Sequence, residues 1–238
     1  MLVEIAVQSV EDARIAQQAG ADRVELCSAL GPTGGITPSI GVISGCVQLG
    51  IPVHVLIRAR GGSFHYSPGE LSVMADDVAA AVEIGAAGVV IGAATPEGHI
   101  DTAALRPLIA AAGSAHLTLH RVCDLGVEDP RTIIETCRTL GLDRVLTSGG
   151  APRVGLGTER LQAMVQAGGE DVTVLAGGGL RAADITTLHH IGVREVHASA
   201  KMCRQSGPVG PGGGTGTVES TDPAVVLELV DAVRKVCR

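Results

Sequence analysis

The chain has 238 residues, 45% of them hydrophobic, enough to bury one sizeable core in a single barrel or α/β domain. Its formal charge of -7, with no basic block and only one Phe and one Tyr for stacking, argues against a nucleic-acid or membrane-surface partner. The most apolar run, residues 78–94, is Ala/Gly-rich and broken by Glu83, which makes it too short and too polar for a membrane span.

The chain starts Met1-Leu2-Val3-Glu4, directly in a strand pattern over residues 2–7 and without the regions of a signal peptide, so the expected location is cytoplasmic. Ser9 caps a helix that ends at Gly20, with Asp12 completing a weak capping box. A second strand covers 23–27, a loop 31–37, and Pro38 opens a helix to Gly50. The third strand, with Val53, Val55 and Ile57 alternating with His54, Leu56 and Arg58, runs out into Arg60 and the Gly61-Gly62 turn. A helix follows over 68–84, then a strand at 88–91, a helix at 102–112 and a strand at 116–120. Asp129-Pro130, a cap followed by a first-turn proline, starts a helix to Gly141. Strands at 144–147, 172–176 and 195–199 alternate with helices at 159–167 and 183–191, and Pro223 begins the last helix.

Four strands arrive as Gly-x-x-x-Val, at Gly20, Gly85, Gly141 and Gly192, each glycine supplying the left-handed residue that ends a helix. Eight strand-helix units in strict alternation imply a parallel sheet closed into a (β/α)8 barrel, the TIM-barrel architecture, as a single domain. An open doubly wound sheet is the alternative. Residues 205–221 carry Pro208, Pro211 and Gly212-Gly213-Gly214, and are expected to be a mobile loop before the last helix.

Strand parity carries the functional expectation. If Val3, Ile5 and Val7 face the helices, Glu4 faces the lumen; by the same rule Glu25, Cys27, His54, Arg58, Arg60, Thr118, His120, Thr147, Glu195, His197 and Ser199 face inward. Glu4, early in its strand, serves equally well as the structural partner of an inward arginine, and His54 reads as a satisfied core histidine. His120, followed by Arg121 and Asp124, puts a titratable base, a cation and a carboxylate at one strand exit. Arg58 and Arg60 suggest an anion site. So does Gly177-Gly178-Gly179 before a helix, with Thr147 and Ser148 adding hydroxyl donors. Only two lysines occur, and Lys201 alone lies where a Schiff base is conceivable. No Gly-x-Ser-x-Gly elbow is present, and no nucleotide cofactor is expected. Six cysteines without close spacing read as reduced thiols.

Glu25-Leu26-Cys27-Ser28-Ala29-Leu30, Gly34-Gly35-Ile36-Thr37-Pro38-Ser39, Ile57-Arg58-Ala59-Arg60-Gly61-Gly62, His120-Arg121, Leu146-Thr147-Ser148-Gly149 and Gly177-Gly178-Gly179 together resemble the CutC copper homeostasis family over residues 1–200. The resemblance implies a cytoplasmic TIM-barrel protein, often dimeric, associated with copper tolerance and proposed to bind Cu(I) through cysteine. The motif cysteine here is Cys27, a soft ligand suited to Cu(I). The family usually has Arg-Pro-Arg-Gly-Gly-Asp, where this chain has Ala59 and Ser63, and Phe-His-Arg-Ala-Phe-Asp, where it has Leu119, Val122 and Cys123. Two functions therefore stand side by side. One is a copper-binding protein using Cys27, with Cys123 as a further candidate and Cys46, on the helix after the second strand, reading as inert packing. The other is a barrel enzyme (isomerase, epimerase or lyase) on a small anionic or sugar-like substrate. There Glu25 and His120 are acid and base, Arg58, Arg60 and Arg121 hold the anion, and Asp124 orients a partner.

Overall fold

The computed structural model describes residues 1–211 and 216–237. Strands and helices alternate as β1 (Leu2–Val7), α1 (Val10–Gln18), β2 (Arg23–Leu26), α2 (Leu30–Thr33), α3 (Ile40–Val47), β3 (Val53–Leu56), α4 (Pro68–Glu83), β4 (Gly88–Ile91), α5 (Thr102–Ala112), β5 (His116–Leu119), α6 (Pro130–Leu140), β6 (Arg144–Thr147), α7 (Thr158–Gly168), β7 (Thr173–Gly177), α8 (Ile185–His190), β8 (Glu195–Ala198), β9 (Lys201–Gln205), β10 (Thr217–Thr221) and α9 (Pro223–Val236). Each of β1 to β8 pairs in parallel with the next, and β8 closes on β1 with His197 opposite Glu4. This is the (β/α)8 barrel that the alternation implies.

Local chemistry sets the element ends. Ser67 and Glu70 form a complete capping box at α4, with Pro68 in the first turn, and Asp129 accepts the amides of Arg131 and Thr132 at the start of α6. The four recurring glycines all have positive φ, from 71° at Gly141 to 103° at Gly85, which is why a residue without Cβ recurs there. Three boundaries differ from expectation. α3 starts at Ile40 behind a Ser39 cap, so Pro38 lies outside it, and it ends at Val47. The 31–37 loop contains the one-turn α2, and α8 is shortened to six residues behind a 3-10 turn at Ala182–Asp184.

The outward faces of the strands, such as Val3, Ile5, Val24, Val55 and Val89, pack against the inner faces of the helices in one continuous core. Each such buried aliphatic contributes about 1.5–3 kcal/mol. A second, small apolar cluster of Cys27, Leu56 and Val90 fills part of the lumen.

The ends of the 205–221 stretch, Gln205 and Thr217–Thr221, depart from the expected loop, while residues 206–211 carry no helix or strand. β9 and β10 pair as an antiparallel ribbon, with Lys201 opposite Thr221 and Gln205 opposite Thr217. The β-branched residues of β10 favour extended backbone enough to outweigh the polar composition around them. The ribbon is tied down at its base. Asp12 accepts the Thr221 amide at 2.8 Å, and Lys201 Nζ donates to Glu219 at 2.5 Å. Gly212, Gly213 and Gly214 lie outside the described residues. Among the described residues no helix is long and apolar enough to cross a membrane.

Candidate functional site

Two arginines that parity analysis did not single out organise the lumen. Arg144, first residue of β6, donates Nε to Glu195 Oε2 at 2.7 Å and Nη1 to Thr118 at 3.2 Å. Arg23, first residue of β2, donates Nη2 to the same Glu195 oxygen at 2.6 Å and Nε to Glu4. Glu4 then accepts from His197 Nδ1 at 2.8 Å, and His197 Nε2 lies 3.7 Å from Glu25 Oε2. Signs alternate along the chain of contacts from Arg144 to His197, so the desolvation of the ions inside the line is offset from both sides, while Glu25 ends it with His197 alone. Glu4 is therefore the partner of an inward arginine. The signal for Arg23 was available, because it shares parity with Glu25 and Cys27.

This line of charges sets the protonation of its members. Burial pushes the Glu4 carboxyl up, but the His197 hydrogen bond and Arg23 hold it well below the usual range. Burial pulls His197 down, and the carboxylates of Glu25 and Glu4 more than reverse this, so its imidazolium is favoured. Burial pushes Glu25 up to about 7; His197 and Arg23 pull against it and the Glu4 charge adds to it. Glu25 is the one member of the line that faces a cavity while poised near neutrality.

That cavity, about 390 Å³, opens at the carboxyl-terminal end of the barrel. Of the sequence-derived candidates, Glu25, Arg58, His120, Arg121, Gly178, Gly179, His197 and Ser199 line it. His120 Nδ1 accepts the Val122 amide at 3.1 Å, which leaves the proton of the neutral ring on Nε2. That Nε2 is buried without a hydrogen-bond partner among the described residues. Burial and the charge of Arg58 pull His120 down to about 3 against the backbone groups of His120 and Gly92, so the ring is a neutral donor at pH 7. The base role expected of it does not fit this environment. Its ring lies 4.5 Å from that of Phe64 and directly over Gly92, where any Cβ would collide with it.

The two arginines of the 58–60 stretch part company. Arg58 is buried, with Nη1 donating to Thr33 O at 2.6 Å and Gly35 O at 2.8 Å, and Nη2 to Gly62 O at 2.7 Å. Its guanidinium thus clamps two loops over the cavity, leaving Nε buried and unpartnered among the described residues. Arg60 is outside the cavity lining. It pairs with Glu70 at 2.5 Å and donates to Ser63 O and His65 O, holding its own loop together.

Asp124 also turns away from the cavity. It accepts from Thr147 Oγ1 at 2.5 Å, Gly150 N at 3.0 Å, Ser148 N at 3.1 Å and Arg121 Nε at 2.7 Å. Ser148 Oγ in turn accepts from Arg121 Nη2 at 2.9 Å. Thr147, Ser148 and Asp124 therefore fix Arg121 without lining the cavity. Thr147 lies out of phase with the lumen because Arg144 and Leu146 are the inward residues of β6. Gly177 packs against His197 and Gly178 against Arg121, but the helix after them is too short and distant to act as an anion-binding terminus. Lys201, which sequence reasoning considered only for a Schiff base, lines the cavity while paired to Glu219. Leu30, Thr33, Gly34 and Phe64 complete its rim. Low in the barrel, His54 is neutral, pulled by burial down to about 3, and its Nδ1 is unpartnered among the described residues, so it is not the satisfied histidine expected.

Cys27 is fully buried beneath Gly35, Leu56 and Val90 and does not line the cavity. Burial pushes its thiol far above the ordinary range, with the charges of Glu25 and Glu219 adding to the effect. Among the described residues no three His, Cys, Asp or Glu side chains come together in a way that could hold a metal ion. Cu(I) wants a thiolate and further soft ligands. The surroundings of Cys27 offer neither.

A family model described as the CutC family matches residues 1–202. The chain belongs to the CutC family. A family protein CutC from Xanthomonas campestris pv. campestris (strain 8004) is 43% identical over 203 residues, covering 84% of each chain. The Homo sapiens relative, named copper homeostasis protein cutC homolog, is 42% identical over 208 residues, covering 87% of this chain and 76% of its own. The crystal structure of CutC from Streptococcus agalactiae superposes with a TM-score of 0.77 at 32% identity, covering 84% of this chain and 98% of that one. The CutC match takes in β1 to β8 and stops within β9, so the cavity falls inside it and most of the ribbon outside.

Proposed function

We propose that this CutC chain serves copper homeostasis, the role named for its human relative, by acting on a small anionic or sugar-like molecule at the carboxyl-terminal face of the barrel. Cu(I) ligation at Cys27 is not part of this reading. The chemistry is proton transfer, as in an isomerase, epimerase or lyase. Glu25 takes and returns the proton, His120 donates a hydrogen bond to a substrate oxygen, and Arg121 anchors the anionic group. One observation carries the reading: a carboxyl in the cavity wall, poised near pH 7 and backed by His197 and Glu4. A general base works best when its pKa lies near the working pH. A cytoplasmic location and a homodimer accompany the family resemblance and belong to the same proposal.

The test is an anaerobic Cu(I) titration against a competing chelator, on wild type and Cys27→Ser, beside a thermal-shift screen of sugar phosphates and hydroxy acids on wild type and Arg121→Ala. Weak copper binding that Cys27→Ser leaves unchanged, together with a ligand shift that Arg121→Ala removes, supports the reading. A stoichiometric, tight copper site abolished by Cys27→Ser overturns it.

A further inference from the structure

Three groups at the cavity have hydrogen-bonding or acid-base capacity left over once the protein's own contacts are satisfied, and their placement constrains what can bind. The first is Arg121. Asp124 holds its Nε and Ser148 one hydrogen of its Nη2, so the guanidinium is fixed and its outer Nη1–Nη2 edge is left for a ligand. Gly178 lies flat against Nη1; a Cβ there would stand 3.2 Å from it. With no side chain at Gly178, the backbone lies bare beside the guanidinium, while Gly179 lines the same cavity with the Arg153 side chain packed against it. Lys201 adds another cation to the same lining. With Arg58 and Arg121 both lining the cavity, a phosphate dianion matches the charge more closely than a single carboxylate does.

The second and third groups are His120 Nε2–H and the Glu25 carboxyl. The cavity wall joins them to the first as one arc. His120 precedes Arg121 in the chain, Gly178 rests on Arg121, and Gly177 is the register partner of His197. His197 in turn stands beside Glu25. A buried, neutral donor and a carboxylate base on two sides of one cavity match the demands of enolisation: the donor polarises a carbonyl and the base removes the adjacent proton.

We infer that the substrate is a phosphorylated α-hydroxy aldehyde or ketone, bound with its phosphate at Arg121, Gly178 and Gly179, its carbonyl oxygen at His120 Nε2 and its α-carbon toward Glu25. The inference rests on the proposed function and specifies the substrate of that same cavity. The Glu25 carboxylate takes the proton from the α-carbon. The C–H electron pair becomes the C=C bond of an enediolate, and the carbonyl π pair moves onto the oxygen facing His120. The proton then returns from Glu25 on the same face, either to the α-carbon, giving back the substrate, or to the former carbonyl carbon while His120 Nε2 gives its hydrogen to the first oxygen and takes that of the α-hydroxyl, giving the isomer with the carbonyl moved by one carbon. No oxidant or reductant is consumed. Reactions that supply such a substrate would be phosphorylations of small sugars or aldol cleavages of larger sugar phosphates.

The test is calorimetric titration of the full chain with phosphoglycolohydroxamate, a planar enediolate mimic that carries phosphate, and with glycerol 3-phosphate, which carries phosphate alone. Wild type is expected to prefer the hydroxamate by about tenfold or more. His120→Gln should lose that preference while holding glycerol 3-phosphate as before, and Arg121→Met should weaken both compounds by about tenfold. Arg121 is part-exposed, so that variant reports even where His120→Gln fails to fold. Equal affinity of wild type for the two compounds, or a full preference surviving in His120→Gln, overturns enolisation and leaves the small-anion reading standing. Binding of neither phosphate, with hydroxy-acid hits in the thermal-shift screen, overturns the phosphate assignment alone. No hit of any class brings down the proposed function as well.

Discussion

The lower lumen and the mouth of the barrel are built from the same residue types and treat them in opposite ways. In the lower lumen Arg144, Glu195, Arg23 and Glu4 hold one another in a line of short contacts, with Thr118 closing one end. At the mouth His120 Nε2 and Arg58 Nε are buried with no partner among the described residues, and Glu25 has a single cation within ion-pair distance. Low in the barrel, His54 Nδ1 is the exception to the pairing around it. A buried polar atom left unpaired costs about 1–3 kcal/mol, so the mouth is less stable than it need be while the lower lumen is close to saturated. The contrast separates charge used for architecture from charge held in reserve for a ligand.

Breaking the saturated region should have the largest effect on folding. Arg23→Met leaves Glu4 and Glu195 without their shared cation and is expected to remove about 3–5 kcal/mol of stability, read as a lowered urea midpoint. Unchanged unfolding would mean that the lumen charges are not coupled as their geometry implies.

At the mouth the same kind of change should spare the fold. Glu25→Gln is expected to lower turnover by about 10²–10⁴-fold without loss of stability near pH 8. The pH dependence has a defined sign. The folded-state pKa of Glu25, about 7, lies above its ordinary 4.5, so the native state holds a proton that the unfolded chain releases. Its contribution is fully present below about pH 4.5 and is lost as pH rises through about 7. Between those limits the loss approaches roughly 1.4 kcal/mol for each pH unit. The stability of Glu25→Gln relative to wild type should therefore climb between about pH 5 and 8, measured by urea unfolding at each pH.

A smaller effect should come from Asp124→Asn, which disturbs five donors at once; about 1.5–3 kcal/mol is expected from a lost charged hydrogen bond. Anion binding at Arg121 should weaken in parallel, because the guanidinium is no longer held. Stability lost with anion affinity intact would show that Asp124 secures only the loop after β6. Arg60→Ala, at a half-buried pair that holds its own loop, is the smallest change and should cost about 0.2–1 kcal/mol, read as a slightly lowered urea midpoint. Ligand affinity should stay within error, and a large loss of affinity would return Arg60 to the cavity.

Periodicity made the barrel legible, because a two-residue repeat in the strands and glycine stops after the helices both survive in one dimension. It also placed Glu25, His120 and His197 on the lumen side. Parity was less use at strand ends. Thr147 follows the apolar phase of Val145, and only the contact of Arg144 with Glu195 fixes which face of β6 looks inward. The division of labour between Arg58 and Arg60 was not legible, since two neighbouring guanidiniums look alike until the carbonyls of Thr33, Gly35 and Gly62 surround one of them. Nor was the burial of Cys27, because its cover comes from Gly35, Leu56 and Val90 on three separate segments.

The ribbon has a further consequence. Lys201 and Thr221 are register partners, so the chain leaves the barrel and returns to it at almost the same place. An excursion whose two ends are already adjacent can lengthen or shorten at a cost that rises only with the logarithm of its length. This stretch is thus where the barrel can tolerate inserted or deleted residues without disturbing its eight strands.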